Sequence, residues 1–201
     1  MTVGGTKKAA SKPKELETLS FEDKASFEQW LSENHGGPGI WLKLAKKAAG
    51  IRSITYAEAV DASLAWGFID GQSKGGDIYY TQRFVPRGAK SLWSKINREK
   101  IATLEAAGKM QAPGRAEVER AKADGRWDAA YDPPSRIIVP DDLRRALDDR
   151  PEAAAFFARL DATNRYAILH RLQTAKVPAT RQRNLEKFVQ MLDEGRVIHQ
   201  R

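Results

Sequence analysis

The sequence predicts an α+β protein: a small mixed N-terminal unit built on a few-stranded sheet, followed by an all-helical C-terminal module. Three observations carry this. Strand-like runs, Ile40 to Leu44 and Ile78 to Val85, occur only in the first half. A helix with a capping box, Thr55 with Glu58, lies between them. Beyond Pro140 every segment keeps a helical apolar spacing.

In chain order, the first helix is expected over Glu22 to Asn34. Ser20 offers the cap, and Phe27, Trp30 and Leu31 form the apolar face, which the glycines at 36, 37 and 39 end. The helix begun by Thr55 buries Val60 and Leu64 and stops at Gly67. Phe68 and Ile69 then read as a short strand and Asp70-Gly71 as a turn. In the next strand Ile78, Tyr80, Gln82 and Phe84 share one face, and Tyr79, Thr81, Arg83 and Val85 the other. Ser91 is expected to cap a long helix reaching Ala107, with Trp93, Ile96, Ile101 and Leu104 buried. A shorter helix follows over Arg115 to Ala123. Pro133, Pro134 and Pro140 bar regular helix from Trp127 to Pro140. Four helices complete the chain: Asp141 to Leu147, Pro151 to Leu160, Asn164 to Ala175 and Thr180 to Glu194. The expected division is a disordered basic tail over 1–18, an α+β domain over 19–125, a Pro-rich connector over 126–140 and a helical module over 141–201.

The chain has 201 residues and no cysteine, which excludes disulfides, thiol nucleophiles and cysteine metal sites. No run of residues is apolar enough for a membrane span, and the start lacks the apolar stretch of a signal peptide, so a cytoplasmic protein is expected. The net charge of +8 is uneven. Residues 1–14 carry +4 and residues 165–201 carry +5, whereas the rest holds 22 basic and 23 acidic groups. The body is therefore neutral, and the charge alone does not favour nucleic acid as a partner.

Chemistry-bearing residues are scattered. The three histidines, His35, His170 and His199, lie singly in different elements, so no metal site or other cofactor is expected. His170, between Leu169 and Leu172, reads as a packing residue. The Gly-Gly-Pro-Gly loop at 36–39 lacks a phosphate-binding pattern. The segment from Thr55 to Ile101 is richer, and its candidate ligand-binding residues are Trp66, Asp70, Tyr80, Gln82, Arg83, Trp93 and Asn97. An amide at Gln82, on an otherwise apolar strand face, costs ~1–3 kcal/mol unless it is bonded, either within the protein or to a ligand. Asp70 is expected to serve the turn first. If this were an enzyme, Asp61 or Asp70 would be the base and Arg83 or Arg87 the anion holder. Lys176, Thr180 and Arg181 form a candidate anion site, because positive side chains at a helix start oppose the helix dipole.

Several runs together resemble the YdeI/OmpD-associated, or bacteriocin-protection, proteins. They are Gly39 to Lys47, Thr55 to Gln72 (TYAEAVDASLAWGFIDGQ), Tyr80 to Pro86 (YTQRFVP), Ser91 to Asn97 (SLWSKIN), Asp124 to Ser135 (DGRWDAAYDPPS) and NRYAILHRLQTAKVPATRQRNLEKF near the end. The resemblance spans about Leu19 to His199. It implies an α+β part with a helical module, in a bacterial group linked by name to protection against antimicrobial peptides and to an outer-membrane porin. It supplies no catalytic residue. The expected function is a ligand-binding or stress-tolerance factor acting on a small molecule or peptide. The alternatives are the enzyme sketched above, or nucleic-acid binding through the basic C-terminal helices.

Overall fold

A computed structural model describes residues 15–200; the basic tail expected at the N-terminus lies outside the described residues up to position 14. The described chain is α+β, with one four-stranded sheet and eight α-helices. It divides into two compact units. The first comprises the described residues of Met1–Lys90 with Leu104–Val118, and the second Ser91–Thr103 with the described residues of Glu119–Arg201.

In the first unit, β1 (Thr18–Ser20), β2 (Ile40–Ala45), β3 (Phe68–Lys74) and β4 (Tyr79–Pro86) form a sheet in the order β1-β2-β4-β3. Only β1 and β2 run parallel. Alternation decides which face is buried: Ile40, Leu42 and Leu44 of β2, Gln82 and Phe84 of β4, and Phe68 of β3 are almost fully covered. That face receives α1 (Lys24–Asn34), whose Phe27 ring lies 6.0 Å from that of Phe84. α2 (Tyr56–Ala65) supplies the buried Ala59, Val60 and Leu64. The Thr55–Glu58 capping box forms as the sequence predicts. Gly67 ends α2 with a φ of 78°, a left-handed conformation that favours glycine.

Two expectations change here. Ser20 belongs to β1, and α1 is capped instead by Asp23, which accepts from the Ser26 amide at 3.0 Å. Asp70-Gly71 is not a turn: β3 continues to Lys74, with its pairing to β4 shifting between Asp70 and Ser73. The reversal falls after it, where Gly76 lies so close to the Tyr79 carbonyl that a Cβ would stand 2.4 Å from it.

Two helices contribute residues to both units, α3 (Lys95–Ala106) and α4 (Ala112–Ala123). The α3 start is capped by Ser94, whose Oγ accepts from the Asn97 amide at 3.1 Å, rather than by Ser91; Ile96 is exposed. Within the first unit, Gly114 of α4 sits against the end of α2, where a Cβ would lie 2.1 Å from the Ala65 carbonyl oxygen.

The second unit holds α5 (Asp141–Asp148), α6 (Pro151–Arg159), α7 (Ala162–Gln173) and α8 (Pro178–Asp193). Leu143, Phe157, Ile168, Leu172, Phe188 and Leu192 are among the residues of its core. The segment before α5 is irregular, as its prolines require, and is pinned by an edge-on contact of Trp93 with Trp127 at 4.9 Å and a bridge between Ser94 and Tyr131. Among the described residues no helix is long and apolar enough to cross a membrane.

Candidate functional site

In the first unit the expected site residues do not share one wall. Gln82 faces the buried side of the sheet, and its Nε2 donates to the Gly71 carbonyl at 2.7 Å, so the shift in β3 pairing satisfies this amide from within. Arg83, the next residue, faces the opposite side, opposite Trp41. Tyr80 is half-buried, and burial raises its hydroxyl pKa. Asp70 accepts from the Tyr56 hydroxyl at 2.7 Å. Trp66 caps the end of α2 and leans on the His35 ring at 5.4 Å. Asp61 lies on α2, and Arg87 is buried with its amide donating to the Gly67 carbonyl at 2.9 Å. Trp93 and Asn97 belong to the second unit, Trp93 buried against Trp127 and Asn97 in the first turn of α3.

Of the expected anion-site residues Lys176, Thr180 and Arg181, the second unit engages Arg181 within the protein. The Arg181 guanidinium grips Asp142 through Nε at 2.8 Å and Nη2 at 3.0 Å, and donates to the Leu172 carbonyl as well. The cation at this helix start is thus already matched by a carboxylate of the protein. Burial acts to raise the Asp142 pKa, but the hydrogen bonds from Arg181 and the Leu143 amide outweigh it and hold the carboxyl below its ordinary value.

The better-formed site lies on α7. Thr163, Tyr166, Ala167, His170, Arg171 and Thr174 recur at helical spacing and line one face of a cavity of about 600 Å³, with Pro134 and His199 at its edges. The opposite stripe, Asn164, Ile168, Leu169 and Leu172, is buried. The helix is therefore two-sided: one face packs, and the other is open.

Long-range contacts fix the walls. The helix cap is Asp161, which accepts from the Asn164 amide at 2.8 Å. The Asn164 side chain then ties in the end of the chain, donating to the His199 carbonyl at 3.2 Å while its Oδ1 accepts from the His199 amide at 2.8 Å. This reciprocal pair brings His199 to the cavity. On the other side, Gln173 holds Asp132 twice, accepting from its amide at 2.9 Å and donating to its carboxylate at 2.6 Å. Lys95 approaches the same carboxylate at 2.7 Å, and its hydrogen bond, ahead of that from Gln173, holds Asp132 below the ordinary carboxylate range. The Tyr166 hydroxyl donates to the Asp132 carbonyl at 3.1 Å. So anchored, this segment presents Tyr131.

His170 sits between two phenol rings, Tyr131 edge-on at 4.6 Å and Tyr166 tilted at 5.5 Å. Burial, then the neighbouring Arg171, lowers the His170 pKa, so the imidazole is neutral at neutral pH. Burial raises Tyr166 to about 12, so its phenol stays protonated. Neither His170 ring nitrogen bonds another described residue; one is free to donate and the other to accept. Arg171 contributes a fixed positive charge, and among the described residues no carboxylate side chain lines the cavity. Thr174 is committed to the His170 carbonyl at 2.7 Å and is not placed as a nucleophile. Chemically, the cleft suits a flat, partly apolar molecule that carries an acceptor or an anionic group. Among the described residues no cluster of three or more metal-ligating side chains is present.

The sequence reading missed this site. Its signal was the 163-166-167-170-171-174 stripe, aromatic and polar residues on the helix face opposite the buried one.

A family model described as "Bacteriocin-protection, YdeI or OmpD-Associated" matches residues 136–195, which include all of α7. A model described as a domain of unknown function (DUF8412) matches residues 19–117. No curated protein and no solved structure matches the chain.

Proposed function

We propose, starting from the match of residues 136–195 to the bacteriocin-protection, YdeI or OmpD-associated family model, that the protein is a binding protein whose ligand occupies the α7 cleft. The ligand is a small molecule or peptide end with a flat apolar part and an acceptor or acidic group. Binding, not turnover, is the contribution to tolerance of toxic peptides or small molecules that the family description suggests.

The observation that carries this reading is His170: a neutral imidazole with uncommitted nitrogens, packed between Tyr131 and Tyr166 and next to Arg171. A purely structural histidine in a core finds partners for its nitrogens, whereas the ring of this one bonds no described residue and lines an open cavity. The α7 wall of the cleft lies within the stretch that matches the family model, while Tyr131, Pro134 and His199 lie just outside it.

The test is a titration with aryl carboxylates, using naphthalene-2-carboxylate as the first probe, followed by calorimetry. Saturable binding that Arg171→Ala weakens about tenfold, the loss of one charge-assisted contact, supports the reading. Binding that neither Arg171→Ala nor His170→Ala changes would place the ligand elsewhere and refute it.

A further inference from the structure

We propose that the uncovered face of the sheet in the first unit binds single-stranded nucleic acid. The face opposite the α1 and α2 side carries Trp41, Lys43, Tyr79, Thr81, Arg83 and Lys74, set by the pairings Trp41 with Arg83, Lys43 with Thr81, and Lys74 with Thr81. Each of these side chains is at least partly exposed. Two are large aromatic rings, and a lysine covers each: Lys74 Nζ lies 4.0 Å from the Trp41 ring centre and Lys43 Nζ 4.3 Å from that of Tyr79.

A sheet face that only needs to be soluble carries threonines and charges of both signs. Here the three charges are all positive, and among the described residues no Asp or Glu takes a strand position on that face. Arg83 makes no ion pair with a described residue; its stem rests on Gly71, where a Cβ would meet it at 3.9 Å.

Rings and cations alternate. A base that stacks on Trp41 or Tyr79 takes the place of the lysine above it, and the displaced ammonium moves to the adjoining phosphate. From strand geometry the two rings stand about 14 Å apart, a span that a short, unstacked strand bridges. A duplex hides its base faces and could use only the cations. An acidic peptide would likewise pair the cations and leave both rings unused. A single strand uses both, as other four-stranded sheets with aromatic faces do.

The experiment is fluorescence anisotropy of a labelled 12-nucleotide oligothymidylate, and of its uridylate counterpart, with the full chain across a salt series. Saturable binding is expected, with Trp41→Ala and Tyr79→Ala each weakening it roughly 5- to 150-fold, the range for losing one stacked base. Trp41→Phe should keep most of the affinity. Replacing Lys43 and Lys74 with glutamine should lower the logarithmic salt slope by about 0.7 per lysine.

The basic tail is present in every variant and cancels from these comparisons. Should Trp41→Ala fail to fold, Tyr79→Ala and the exposed Lys74→Glu decide. Absence of saturable binding overturns the proposal. So does binding that all these substitutions leave unchanged, which would put it on the tail or the C-terminal arginines. Loss in the lysine variants alone, or equal competition by polyglutamate, makes the face a general anion surface and also overturns it.

Discussion

The arrangement of the cleft depends on one buried amide, and Asn164→Ala tests that directly. Asn164 is 3% exposed and makes a reciprocal pair of hydrogen bonds to the backbone of His199. Its own amide still caps onto Asp161 after the substitution, so helix α7 should remain intact. The two neutral hydrogen bonds to His199 are lost, each contributing about 1 kcal/mol net, together with the Asn164 Nδ2 contacts to the Asp161 carboxylate at 3.2 and 3.3 Å, which act on the start of α7 and not on His199. The His199 backbone lies near the end of the chain and can rehydrate, which keeps the unsatisfied-group penalty small. We therefore expect about 1–2 kcal/mol, felt locally. That corresponds to about 5- to 30-fold faster hydrogen exchange at the His199 amide. Native-state exchange followed by NMR measures it residue by residue. Binding at the α7 cleft should weaken in parallel, because His199 is no longer held at its edge. Unchanged exchange at His199 would refute the claim that Asn164 fixes the cleft.

Other perturbations have equally definite expectations. Gly114→Ala drives a Cβ to within 2.1 Å of the Ala65 carbonyl, so denaturant unfolding should show a loss of about 1–3 kcal/mol; an unchanged midpoint would contradict that packing. Asp142→Ala leaves the half-buried Arg181 without its carboxylate and should cost about 2 kcal/mol by the same measurement. Because the Asp142 pKa is held below its ordinary value, its contribution is complete above the unfolded pKa and is lost as pH falls through the folded one, so the difference between wild type and Asp142→Ala should shrink in acid. The His170 pKa is lowered by burial, so the unfolded chain takes up a proton first as pH falls below the ordinary histidine value. Stability should therefore decline in that window, and His170→Gln should flatten this part of the pH profile.

Local signals made most of the fold legible. The Thr55–Glu58 box, the alternation in β4 and the apolar stripe of α8 are short-range patterns, and each appears where the sequence places it. Errors arose where a local signal was overruled by its surroundings. Asp70-Gly71 reads as a turn, but β3 absorbs it as an irregularity in its pairing and the chain reverses later, at Gly76. Ser91 reads as the cap of α3, but Ser94 caps it, beside the contact of Trp93 with Trp127, a partner distant in sequence. The cleft was harder to foresee for the same reason. His170 between two leucines reads as packing until Tyr131, held by Asp132 and Gln173, is brought against it. Gln82 illustrates the reverse, since its need for a partner was legible but the Gly71 carbonyl that meets it was not.

An NMR titration of the His170 ring with naphthalene-2-carboxylate decides whether the α7 cleft is a binding site with His170 among its contacts. The His170 ring signals are expected to shift saturably and its depressed pKa to rise, because a bound anion favours the charged imidazole. A His170 that keeps both its chemical shifts and its pKa through a saturating titration would contradict that role.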